Sequence, residues 1–275
     1  MTGRTLTMES LSARNHAEIE RSASEATRIV REGLGTPEID RYMNPPGNTT
    51  SALEYAFHLL GDVRRKSVLD LGCGTGENIF PLVHRGARVI GMDISPDLIA
   101  IAQKRLGDAN LDASVTVGDA YNTGLPSESI DVVFCSALIH HLDIKLARDE
   151  MYRILRNSGV VVLREPVRFS GLYSCLRRLL PANRNVSEFE HPLTKAELVT
   201  LTQGFRVEGA RYFQLPFVPL ISQLIPSKSD AASVASNWMI GHLAPVKHYA
   251  TGVVARLRKG ELPPNWAQDD RSGRT

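Results

Sequence analysis

The stretch that most constrains this chain is Ser67 to Gly76, which reads Ser-Val-Leu-Asp-Leu-Gly-Cys-Gly-Thr-Gly. Ser67 to Leu71 is a short apolar run with one acid in it, the pattern of a strand buried in a parallel sheet. Gly72, Gly74 and Gly76 follow at every second position. Glycine there permits a positive φ and lets a ligand approach bare backbone. Glu77 to Arg85 then reads as a helix, so the glycines join a strand to a helix N-terminus. In a doubly wound sheet that junction receives the ligand. The spacing differs from G-x-G-x-x-G, whose amides cradle a pyrophosphate. Here the glycines are closer, and Asp70 puts a carboxylate where a diphosphate would be repelled. A dinucleotide or nucleotide sugar is therefore disfavoured, and a ligand carrying positive charge is favoured.

The pattern continues along the chain. Ala87 to Asp93, Ala113 to Val117, Ile130 to Ser136 and Val160 to Glu165 read as four further strands. Between them lie helices. Pro96 to Leu106 has Ser95 as its N-cap and Pro96 at its first position. Ile144 to Arg156 is capped by Asp143 and should close at Gly159 in a left-handed C-cap. Strands alternating with helices, each strand ending on an acid or polar group, predict an α/β fold with a doubly wound parallel sheet.

The Asp70-x-Gly72-x-Gly74-x-Gly76 spacing resembles motif I of the class I S-adenosylmethionine-dependent methyltransferases. The likeness is close over roughly Ser67 to Glu165 and loose elsewhere. It implies a mostly parallel seven-stranded sheet with helices on both faces, the last two strands forming a hairpin with one antiparallel member. It also implies that the glycine loop, Gly72, Cys73, Gly74 and Gly76, wraps the methionine part of S-adenosyl-L-methionine. Asp70 would help hold the amino group. Asp93, with Ile94 beside it, ends the second strand, where an acid accepts from two ribose hydroxyls. Asp119 would accept from the adenine amino group, with the Ala120 amide against the ring. Ser136, ending the fourth strand, completes the expected cofactor set. Each has a plainer reading: a structural glycine turn, Asp93 capping beside Ser95, Asp119 in a surface turn.

A methyl sulfonium is already an activated electrophile, so the protein's task is orientation, exclusion of water and removal of a proton. His140 and His141, leaving the fourth strand at its C-terminal end, are the expected bases. Only one of two neighbours easily points inward, and the other is left to pack or to position substrate. Glu165 and His191 are second-line candidates for catalysis and substrate contact, or else surface capping and pairing groups. A metal site from His141, Glu165 and His191 has no spacing behind it, and none is predicted.

The chain divides into an N-terminal helical and lid segment (1–60), a methyltransferase domain (61–260) and a polar tail (261–275). Leu11 to Glu32 reads as helix, broken by Gly33, Gly35 and Pro37. Asp40 to Thr50 contains Pro45-Pro46-Gly47, which forces an extended or turned path just before a helix expected over Thr50 to Leu60. The resemblance makes this segment a lid, with Tyr42 and Asn44 touching cofactor or substrate, against the alternative of a connector with a surface Tyr. Phe169 to Leu180 reads as a helix, and Thr194-Lys-Ala-Glu197 as a capping box opening another. Phe205 to Phe213 and Tyr249 to Leu257 read as the last two strands. The insertion between them, 214–248, is too apolar for disorder and reads as a cover over the substrate side or an extra core layer.

Composition narrows the partners. Of 275 residues, 32 are Lys or Arg and 30 are Asp or Glu, a formal net charge of +2, so no basic footprint for nucleic acid is present. Three cysteines without a C-x-x-C fit a reducing compartment, and the charged N-terminus has no apolar signal segment, which points to the cytoplasm. Gln214 to Pro226 is compatible with transient contact with a membrane surface but lacks a basic face. The expectation is methyl transfer to oxygen, nitrogen or carbon of a small, uncharged or lipid-like acceptor. The alternative is a methyltransferase fold that holds the cofactor and transfers nothing.

Overall fold

The computed structural model describes residues 8–33, 38–169 and 191–260. The chain opens with a long helix, α1 (Met8–Glu32), a one-turn helix α2 (Asp40–Met43) and α3 (Ala52–Leu60). Five strands and their helices follow: β1 (Ser67–Leu71), α4 (Ile79–His84), β2 (Arg88–Asp93), α5 (Pro96–Asp108), β3 (Ala113–Val117), β4 (Ile130–Ser136), α6 (Ile144–Ile154) and β5 (Leu155–Pro166). After these come α7 (Lys195–Thr202), β6 (Phe205–Phe213), α8 (Phe217–Leu224), α9 (Ser229–His242) and β7 (Gly252–Lys259). The sheet order is β3-β2-β1-β4-β5-β7-β6, with β7 antiparallel to both its neighbours. The chain winds outward from β1 to β3 and restarts at β4 on the other side of β1. That reversal leaves a crevice beyond the C-terminal ends of β1 and β4.

Alternation along the central strands builds two cores. Val68, Val132, Phe134, Val160 and Val162 face the side covered by α3, α4 and α5, with Phe57, Leu60 and Leu82. Leu69, Leu71, Val133, Cys135, Val161 and Leu163 face the other side with Met151 and Ile154 of α6. Successive residues therefore point to opposite faces, as the two-residue period of a strand demands. Caps read from the sequence are made: the side chains of Ser95 and Asp143 accept from the amides of Leu98 and Leu146. Thr194 and Glu197 form the reciprocal capping box of α7.

The Pro45-Pro46-Gly47 stretch bends as read, after the helical turn Asp40–Met43. Three expectations are corrected. Helix α6 stops at Ile154 and the chain enters β5 at once. The left-handed residue there is Ser158 (φ 62°), whereas Gly159 is needed for close approach, since a Cβ would lie 2.9 Å from the Arg156 carbonyl oxygen. The last strand runs from 252 to 259, because Ala244–Tyr249 is a 3-10 turn. The helix expected over 169–180 lies outside the described residues beyond Phe169. The insertion forms α8 and α9, braced internally where Ser236 Oγ accepts from the Leu215 amide (2.8 Å) and tied to the body where Asn237 Nδ2 donates to the Thr50 carbonyl (2.9 Å). No described helix is long and apolar enough to cross a membrane.

Phe134 is fully enclosed at the sheet centre and meets the Phe57 ring at 5.2 Å. Phe134→Ala should cost about 3–5 kcal/mol, read from the urea midpoint with unchanged slope.

Candidate active site

The glycine loop after β1 is folded on its own amides. Gly72 and Cys73 donate to the Met92 carbonyl (2.7 and 3.0 Å), and Gly76 donates to the Cys73 carbonyl (2.8 Å). Gly74 donates to Asp93 Oδ2 (2.8 Å). The expectation of bare amides is thus corrected: these donors are already used, which leaves a poor phosphate cradle. All three glycines have positive φ, and a Cβ on Gly72 would come within 2.8 Å of Leu138. The tight spacing therefore seats the loop between β2 and the segment after β4.

Asp70 lies beneath this loop, wholly buried, with neither carboxylate oxygen hydrogen-bonded to any described residue. Burial, with the nearby charge of Asp93 adding to it, pushes its carboxyl up to about 8. Asp93 is likewise raised by burial, partly offset by the amides of Ser95 and Gly74 that it accepts. An orphaned buried carboxylate beside a second acid is a receptor for a cation. Burial also raises the Cys73 thiol, which stays protonated and packs into the core.

A cavity of about 160 Å³ opens over the loop, lined by Gly72, Gly74, Asp93, Ile94, Asp119 and Ala120, with Leu138 and His141 on its far wall. Its roof is α1. Asn15 Nδ2 donates to Asp119 Oδ2 (3.0 Å), and Glu18 Oε2 lies 3.4 Å from His141 Nδ1. Burial pushes the Glu18 carboxyl up, but the hydrogen bond from Arg21 and the charges of His141, Arg21 and His140 outweigh it and hold it low. The lid over this cavity is therefore α1, not the 40–50 segment. Sequence reading found the helix but not its place, although its polar residues at 14, 15, 18, 21, 22 and 25 recur at helical spacing, a face too polar for ordinary core.

A second cavity, about 510 Å³, lies beside the first, lined by His140, Arg164, Phe213, Thr251 and Val253, with Asp230 and Ser233 of α9 at its edge. Ala137 lines both. It has φ 58°, a left-handed conformation that costs a non-glycine residue about 1–2 kcal/mol. The histidines divide between the two spaces. His141 faces the first. His140 is buried on the second, with Nδ1 2.8 Å from Glu165 Oε2. Glu165 also accepts from the amides of Leu138 (2.9 Å), Ile139 (2.9 Å) and His140 (3.4 Å). It is thus an anchoring acid that fixes the turn after β4 and orients one imidazole.

Other expected site residues lie elsewhere. Tyr42 lines neither cavity and packs on Phe57, ring centroids 4.9 Å apart. Ser136 turns away from the first cavity, and its hydroxyl accepts from Arg164 Nε (2.9 Å). His191 is exposed and lies 3.6 Å from Glu197 at the start of α7. Cys73 and Gly76 shape the loop without lining either cavity.

A methyltransferase domain model matches residues 69–163. The chain is 30% identical over 154 residues to a magnesium-protoporphyrin O-methyltransferase of Rhodobacter capsulatus, covering 55% of this chain and 69% of that protein. The chain belongs to the class I S-adenosylmethionine-dependent methyltransferases. A probable S-adenosylmethionine-dependent methyltransferase of Saccharomyces cerevisiae is 34% identical over 98 residues, 34% of each chain. The chain spans only about a third to a half of the length of the first curated relatives it matches. In fold it resembles geranyl diphosphate C-methyltransferase from Streptomyces coelicolor A3(2), solved with S-adenosyl-L-homocysteine. The TM-score is 0.60 at 14% identity, covering 90% of this chain and 98% of that one.

S-adenosyl-L-methionine is the cofactor of this family, and the residues present fit it. Its ammonium and sulfonium suit the acids lining the first cavity, Asp93, Asp119 and Glu18, with the orphaned Asp70 buried beneath the loop and lining neither cavity, and no side chain of Gly74 fills the space above the loop.

The buried acid gives a signed pH prediction. Its folded pKa is above the ordinary 3.8, so the native state holds a proton that the unfolded chain has released. The stability it confers is complete below pH 4 and is lost as pH rises to about 8, on the order of a few kcal/mol. Asp70→Asn should therefore flatten the stability curve between pH 4 and 8 relative to the parent, measured by urea unfolding. Binding of the cationic cofactor at pH 7 should release a proton from the parent and not from Asp70→Asn, read by calorimetry in buffers of different ionisation enthalpy.

Proposed function

We propose that this protein transfers a methyl group from S-adenosyl-L-methionine to a small-molecule acceptor. The observation that carries the reading is the pair of cavities meeting at Ala137, with an acid-rich, roofed space on one side and an oriented imidazole on the other. Asp70, Asp93, Ile94, Asp119 and Ala120 hold the cofactor, which when bound supplies an electrophilic sulfonium methyl. His141, with Glu18, closes the far wall of that space.

His140 is the general base in this reading. Glu165 fixes the ring through Nδ1 and stabilises the imidazolium that forms when the acceptor gives up its proton. Leu53, Pro166, Phe213 and Val253 form an apolar patch in a cavity otherwise lined mostly by polar and charged side chains, which suits an acceptor with both an apolar body and a polar group. Helix α9 contributes the cover.

The test is transfer of radiolabel from methyl-labelled cofactor into an organic-extractable product, with stoichiometric S-adenosylhomocysteine. His140→Gln should lower kcat by about 10²- to 10⁴-fold while cofactor affinity and thermal stability hold. His141→Gln should weaken cofactor binding more than it lowers kcat. Tight cofactor binding with no turnover across acceptor classes would instead show a cofactor-holding protein without transfer.

A further inference from the structure

Arg164 is the feature of the second cavity that methyl transfer itself does not require. It sits on β5 opposite Ser136 of β4, and its Nε is held by the Ser136 hydroxyl at 2.9 Å. That bond is the only side-chain hydrogen bond Arg164 makes with a described residue. The guanidinium is half-buried in the cavity wall, and burial pulls its pKa down against the charges of Glu165 and Tyr42. The adjacent Glu165 does not pair with it. Glu165 lines the same cavity, but neighbouring strand residues point to opposite faces, and its carboxylate is engaged by His140 and three amides. The cavity's other cation, Arg41, is taken by Glu38 (2.7 Å) and Glu54 (2.6 Å). Asp230, on α9, is an exposed carboxylate at the cavity edge that makes no ion pair with Arg164 among the described residues.

A desolvated cation without a carboxylate partner costs free energy that an incoming anion offsets. With Nε anchored, both terminal nitrogens are oriented as a fork, the geometry that matches a planar carboxylate. One unpaired arginine with acids nearby suits a single negative charge better than a phosphate dianion. We propose that Arg164 receives a carboxylate of the acceptor, so that the substrate is an amphiphilic monoacid, its apolar body against Phe213 and Val253. This rests on the reading of the second cavity as the acceptor site, and it replaces the uncharged acceptor expected from composition.

The experiment uses the full chain saturated with S-adenosylhomocysteine and matched probes: benzoate against benzamide, cinnamate against cinnamamide, octanoate against octanamide. Binding is followed by calorimetry for the parent, Arg164→Lys and Arg164→Met, the last replacing the charge with an apolar side chain. The carboxylate of at least one pair should bind about 10- to 100-fold more tightly than its amide to the parent. That preference should persist in part in Arg164→Lys and vanish in Arg164→Met, with affinity for S-adenosylhomocysteine equal in all three. Equal binding of acid and amide, a preference that survives Arg164→Met, or no carboxylate binding at millimolar concentration would overturn the proposal while leaving the methyltransferase reading intact. Failure of the parent to bind S-adenosylhomocysteine would remove both.

Discussion

The upper edge of this sheet is governed by negative charge kept out of water. Asp70 is enclosed without a hydrogen bond, Asp93 is buried beside it, and Asp119 and Glu18 border the same space. Carboxylates crowded this way repel one another, and each pays for its lost hydration. Folding tolerates the arrangement because the loop amides satisfy some of it: Gly74 and Ser95 donate to Asp93, and Tyr121 donates to Asp119. Asp70 receives no such help. A cationic ligand is the one partner that lowers the energy of the whole cluster, which is why the site selects a sulfonium nucleoside over a diphosphate.

The same edge separates the two cavities with one residue. Ala137 takes a left-handed turn immediately after β4, so the chain crosses from one cavity to the other within a few residues. Glu165 pins that crossing by accepting from the amides of residues 138, 139 and 140. Two adjacent histidines thereby face different spaces, His141 beside Glu18 on the first cavity and His140 beside Glu165 on the second.

The strands and their order were legible because period, caps and glycines all report on local backbone. Ser67–Leu71, Ala113–Val117, Ile130–Ser136 and Phe205–Phe213 have the bounds read from the residues. Asp93 and Asp119 were legible for the same reason: in a doubly wound sheet the crevice lies beyond the C-terminal ends of the strands, where both acids sit. What escaped depends on side-chain direction and on contacts far apart in sequence. Ser136 and Arg164 lie 28 residues apart, and only the register of β4 with β5 puts them face to face. Tyr42 and His191 carry suitable chemistry, but Tyr42 packs on Phe57 and His191 stays at the surface of α7. The roof was missed because no local pattern says where a polar helix face docks. Residues 15 and 119 are 104 positions apart.

That roof follows from the charge cluster beneath it. Asn15 offers an amide N–H₂ to Asp119, the group expected to accept from the adenine amino, so the helix presents the donor chemistry of a nucleobase to the same carboxylate. Arg21 brings positive charge toward Asp93, and Glu18 meets His141. A helix with an apolar underside would bury these acids more deeply and raise their cost further. A polar underside lets α1 lie across the crevice with hydrogen bonds to the acids it covers. The polarity of this helix face therefore answers the charge cluster beneath it.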